Sequence, residues 1–156
     1  MSKGYYRPET YRAKSAISYL VRRAHNLLLP KLETLFSEHD LTFTHWAVLM
    51  YLRDGMAETC SDIARDMHHD SGALTRILDQ LEARGLVVRQ RSSVDRRVVR
   101  LSLTPAGSET VESLIPVVTD FLNGVLGEFS RQEADQLIGL LSRLVTSLGE
   151  ADEVKP

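Results

Sequence analysis

A single cysteine, Cys60, stands in 156 residues, which excludes an internal disulfide framework. Metal ligands are equally scarce. His25, His45, His68 and His69 invite a zinc reading, yet there is no second cysteine, no His-x₃-His pair and no histidine after His69, so no tetrahedral set assembles at helical spacing. His68 and His69 read more simply as turn residues. No glycine-rich phosphate loop, nucleophile elbow or usefully spaced carboxylate pair is present, so the chain is not expected to be an enzyme or to hold a cofactor. No apolar run reaches the roughly 18 residues that span a bilayer, and no signal-peptide pattern opens the chain. A cytoplasmic, reducing location without a membrane partner is expected.

What is present is concentrated between Asp70 and Leu103. Leu74, Ile77, Leu78 and Leu81 recur at i, i+3, i+4 and i+7, which predicts a helix over 71–84 with one buried face. Ser71, Gly72, Thr75, Arg76 and Asp79 are left outward. Asp70 can cap its start, and Gly85 falls where a left-handed terminating residue belongs. Thr59-Cys60-Ser61-Asp62 has the form of a capping box and opens a shorter helix through Ile63, Ala64 and Met67. Two short helices parted by the His68-His69-Asp70 turn form a helix-turn-helix, whose second member enters the major groove.

Leu86 to Val88 and Val98 to Leu103 read as strands flanking Ser92-Ser93-Val94-Asp95, so a hairpin follows the helix. From Arg84 to Arg100 the chain carries Arg84, Arg89, Arg91, Arg96, Arg97 and Arg100 against Asp95 alone, in a protein of net charge −2. That polarisation can present one electropositive ridge to a phosphate backbone. Arginine suits it, because its planar fork matches phosphates and guanine edges.

Long amphipathic helices flank this module. The first is predicted over 11–38, with Pro30 kinking or dividing it. A core helix follows between Thr42 and Gly55. Thr104-Pro105 caps another, bent at Pro116, and the box from Ser130 to Glu133 opens the last, ending before Gly149. Their apolar stripes exceed what so small a module can cover, so they are expected to pair across a two-fold axis. The predicted class is mainly α with a small β-hairpin wing. A winged helix-turn-helix core (41–103) is joined to a helical dimerisation region (11–38 and 104–149), with flexible tails at 1–10 and 150–156.

Asp70-Ser71-Gly72-Ala73-Leu74-Thr75-Arg76, Leu81-Glu82-Ala83-Arg84-Gly85-Leu86-Val87, Asp95-Arg96-Arg97 and Leu103-Thr104-Pro105-Ala106-Gly107 occur in the order and spacing of the MarR family of bacterial transcriptional regulators. The chain resembles that family specifically over 41–107, and in layout alone for the outer helices. The resemblance implies a homodimer that binds a pseudo-palindromic operator on double-stranded DNA, most often as a repressor, and releases it when a small molecule or an oxidant arrives. It implies that Ser71, Gly72, Thr75 and Arg76 face the major groove. The arginines of the hairpin, Arg91 and Arg96 among them, would lie near phosphates and Arg97 in the minor groove, steered by Asp95. Gly72 either lets backbone approach DNA or is a tolerated glycine in a first turn. Asp70 either faces DNA beside a wing arginine or only caps its helix.

In similar proteins the effector lies between the dimer helices and the winged module. Here Tyr19, Arg23, His45, Trp46 and Met50 can combine an apolar wall with a cation for an aromatic acid or its thioester. Equally, Trp46 and Met50 at helical spacing read as core. Cys60 lies at a helix start, where the dipole activates a thiol, but oxidant-sensing relatives carry theirs in the N-terminal helix. A small helix residue is the simpler reading. The competing function is a winged-helix adaptor that offers the same surface to an acidic protein partner.

Overall fold

A helix needs partners for its first amides, and in this chain side chains two or three residues upstream of them repeatedly supply them. The structure, a computed structural model, describes residues 4–91 and 98–153, with side chains through Gly149. Helices α1 (Ile17–Ser37), α2 (Phe43–Arg53), α3 (Cys60–Asp66) and α4 (Ser71–Ala83) precede strands β1 (Val87–Arg91) and β2 (Val99–Leu103). Helices α5 (Pro105–Val125) and α6 (Arg131–Glu153) complete it. Thr42, Thr59 and Asp70 each accept a backbone amide at the starts of α2, α3 and α4. At α6, Glu133 Oε2 accepts the Ser130 amide at 2.9 Å, the reciprocal half of the expected box.

Three local expectations are corrected. Residues 11–16 do not open α1; a 3₁₀ turn at Ala13–Ser15 stands there, and Tyr6 Oη accepts the Ile17 amide at 2.7 Å in place of a cap on Ala16. Pro30 does not divide α1, because Leu32 and Phe36 beyond it are buried and their packing outweighs the one backbone bond that proline removes. Gly149 does not end α6, which continues to Glu153; glycine inside a helix costs only about 1 kcal/mol, and nothing there imposes a left-handed backbone.

The chain divides into two compact units, one up to Val111 and one from Glu112. In the first, α1 packs on α2 through Phe36, whose ring stacks on Trp46 at 5.3 Å and lies 6.2 Å from Phe43. Val48, Leu49, Ile63, Leu74, Leu78 and Leu81 continue this core. The strands pair antiparallel from Val87 opposite Leu103 to Arg91 opposite Val99, so β1 runs further than its apolar residues alone indicate. The second unit holds the rest of α5 and α6. Ile17, Leu20, Val21 and Leu27 of α1 and Leu137, Ile138, Leu140, Leu141, Val145 and Leu148 of α6 are exposed in the single chain. Among the described residues no helix is long and apolar enough to cross a membrane.

Candidate nucleic-acid interface

Helix α4 is an exposed rod gripped along its length. Leu74, Leu78 and Leu81 are buried, while Ser71, Gly72, Thr75, Arg76 and Asp79 are exposed together on the opposite side. The Asp70 carboxylate accepts the Ala73 amide at 2.8 Å and caps the start. At the other end Gly85 takes φ +70° and the Leu86 amide bonds back to Leu81 O at 3.0 Å, a closure in which any side chain at 85 would be strained. Asp70→Ala is expected to lower stability by about 1 kcal/mol, read as a fall in Tm, with Asp70→Ser recovering most of it.

The hairpin is tied to the same rod. Arg89 of β1 donates to Asp79 Oδ1 at 2.7 Å, to Glu82 Oε2 at 2.6 Å and to the Thr75 carbonyl at 3.4 Å. Its partly buried position works against its charge, but the two carboxylates prevail and raise its pKa. Arg84 donates to the Asp40 carbonyl, and Arg100 pairs with Glu58. Three of the arginines counted toward a basic ridge therefore have partners within the chain, Arg89 half-buried and Arg84 and Arg100 at the surface, a correction that sequence counting could not foresee. The i, i+3 spacing of Asp79 and Glu82 was the available signal for their clamp. Arg91 is exposed at the end of β1. Asp95, Arg96 and Arg97 lie outside the described residues.

Thr75 donates its hydroxyl to Ser71 O at 2.8 Å, and Cys60 Sγ lies 3.9 Å from Thr75 Oγ1, so the lone thiol borders the outward face. A Cβ at Gly72 would come 3.2 Å from the Asp70 carboxylate that caps the helix. Glycine thus keeps both the cap and an open approach to the backbone.

The five proposed effector residues separate. Tyr19 and Arg23 line an open cavity of about 290 Å³ with Arg22, Asn26 and Leu27. These positions follow i, i+3, i+4, i+7 and i+8 on α1, a periodicity that would have found Arg22 and Asn26. Trp46 is buried against Phe36, and His45 is buried between Thr42 and Gln80. Met50 is half-buried on α2. No group of three potential metal-ligating side chains forms among the described residues.

Two short helices, a capped and clamped second helix and a paired hairpin define a winged helix-turn-helix protein with added helices. The MarR family model matches residues 41–99, and that segment is a MarR-family domain. It is 33% identical over 104 residues to the uncharacterized HTH-type transcriptional regulator YdgJ of Bacillus subtilis, across 67% of this chain and 62% of that protein. The match thus spans less than two thirds of that relative's length. Similar solved structures include the reduced form of MarR from E. coli, at 26% identity over 83% of this chain and 96% of that one, with a TM-score of 0.71. BpsR of Bordetella bronchiseptica, a structure concerned with regulation of its DNA binding by 6-hydroxynicotinic acid, aligns at 25% identity over 86% and 96%, with a TM-score of 0.77. The names these relatives carry describe regulators, not enzymes.

Proposed function

We propose that this protein is a homodimeric, sequence-specific DNA-binding regulator of transcription that acts in the cytoplasm, most simply as a repressor of a pseudo-palindromic operator. The observation that carries the reading is the exposed polar face of α4, held at its start by Asp70 and along its length by Arg89. A rod so held enters a groove without ordering costs that a loose segment would incur. Ser71, Gly72, Thr75 and Arg76 read the major groove. Arg91, Arg96 and Arg97 of the hairpin contact the backbone and the minor groove, and Asp95 orients them. The exposed apolar faces of α1 and α6 pair with a second copy, which places two reading helices about one helical turn of DNA apart, or a multiple of it.

The effector is a small aromatic acid or its thioester, received by Tyr19 and the arginines Arg22 and Arg23 beside it. The acid named for BpsR is of the same class.

Fragments of the source genome retained by the protein supply the operator for the test. Binding is expected to prefer a palindromic sequence and log K to fall steeply and linearly with log salt. Arg76→Ala and Arg97→Ala are each expected to weaken operator binding by about 1–3 kcal/mol with the fold intact. Retention of an acidic protein, with no sequence preference on DNA, would establish the adaptor reading instead.

A further inference from the structure

One polar tether in the molecule involves a side chain that changes charge near neutral pH. His45 is 6% exposed at the third position of α2. The Thr42 amide lies 3.1 Å from its Nδ1, and Gln80 Oε1 lies 2.8 Å from its Nε2. An amide N–H only donates, so Nδ1 keeps its lone pair, and the proton sits on Nε2 and goes to Gln80. Only the neutral ring in that tautomer makes both bonds. A second proton on Nδ1 would set N–H against N–H and open the capping box.

Gln80 occupies the last turn of α4, and Arg84, directly after the helix, reaches the Asp40 carbonyl. The corner between α1 and α2 therefore holds the end of the exposed rod at two points. Burial acts most strongly against an imidazolium at His45, and Arg84, directly after α4, also opposes it. Gln80 and Glu33 of α1 favour it, and Glu33 is itself fixed by accepting the Phe43 amide at 3.1 Å.

We propose that His45 is a positioning residue for DNA recognition: the neutral imidazole seats α4 through Gln80, and acidification releases that seat. The proposal rests on the DNA-binding reading above. Burial holds the folded-state pKa below the ordinary 6.5. Below that value the unfolded chain takes up more protons than the folded one, so the contribution is complete above about pH 6.5 and is lost as pH falls toward the folded value.

The test uses the full chain, its His45→Gln variant, whose amide is a standard third-position partner and does not titrate, and Gln80→Met, which removes only the acceptor on α4. In imidazole NMR spectra of the wild type, His45 is expected as the Nε2–H tautomer, titrating below the ordinary 6.5. Relative to His45→Gln, wild-type operator affinity is expected to be constant above about pH 7.5 and to fall as pH is lowered, by about twofold where folded-state His45 is half protonated and by up to about tenfold per pH unit below that, a ratio that cancels effects common to both proteins. Gln80→Met is expected to keep the Thr42 box and lose operator affinity several-fold even at the higher pH. A His45 resonance that titrates at or above the ordinary 6.5, an Nδ1–H tautomer or an affinity ratio that stays flat through the His45 titration would each overturn the proposal. Should no form of the protein bind DNA, the regulator reading falls and the positioning role with it. The imidazole titration would still report whether the proton-linked seat exists.

Discussion

Leu141→Glu combined with Leu148→Glu is expected to convert the proposed dimer to monomers and to reduce operator affinity at least about a hundredfold. The two positions are seven residues apart on one face of α6 and are 45% and 60% exposed in the single chain. Carboxylates there remain in water in a monomer and cost its fold little. Across a dimer interface each would be stripped of water without a partner, a penalty of several kcal/mol, and every 1.4 kcal/mol is a factor of ten. Sedimentation and operator titration on the same samples check it. A dimer of unchanged stability would place the interface elsewhere, and a monomer that binds at full affinity would remove the two-fold reading of a palindrome.

Gly107→Ala is expected to destabilise the protein by about 2–4 kcal/mol, although alanine is the better helix former by about 1 kcal/mol. Gly107 lies in the first turn of α5, directly over the Leu86 backbone, and a Cβ there would collide with the Leu86 carbonyl group. That carbonyl cannot swing aside, because its oxygen accepts the Thr104 amide at 3.1 Å, while the Thr104 hydroxyl donates to Gly85 O at 2.6 Å and accepts the Gly107 amide at 3.0 Å. The clash is backbone against backbone at the corner where α4 turns into β1, so relief must move the start of α5 or the hairpin itself. Gly124→Ala is the control: nothing lies within 4 Å of a Cβ there, and a gain of about 0.5–1 kcal/mol is expected from helix propensity alone. Denaturant midpoints of the two variants should therefore move in opposite directions. A stabilised Gly107→Ala would show that the corner is looser than its hydrogen bonds imply.

Caps were legible because they are local. Thr59, Asp70 and Ser130 each act on an amide three residues away, and a reader of the chain has both partners in view. The buried face of α4 was legible for the same reason, since Leu74, Leu78 and Leu81 share a side by the helical repeat alone. Pro30 misled because the packing of Leu32 and Phe36 outweighs the backbone bond it removes, and Gly149 because a glycine inside a helix costs only about 1 kcal/mol. Arg84, Arg89 and Arg100 misled differently. Counted along the chain they form a basic run, but Arg89 and Arg100 face carboxylates elsewhere in the fold that offset their charge, while Arg84 is oriented by the Asp40 carbonyl and keeps its own.

The candidate site divides along the same line. Periodicity placed Ser71, Gly72, Thr75 and Arg76 on one open face, and the cavity on α1 repeats that pattern through Tyr19, Arg22, Arg23, Asn26 and Leu27. The separation of His45 and Trp46 from that cavity was not readable, because a histidine three residues after a threonine is equally a cap partner or a ligand until its second nitrogen finds something to bond.

The sequence alone determined the order of elements, the family and the polarity of the reading helix, because those follow from spacing within a few residues. The tertiary structure decided how firmly that helix is held and by whom. His45 meets the Gln80 side chain across 35 residues and Arg84 meets the Asp40 carbonyl across 44, and no local pattern predicts a bond between groups that only the packing of several helices brings together.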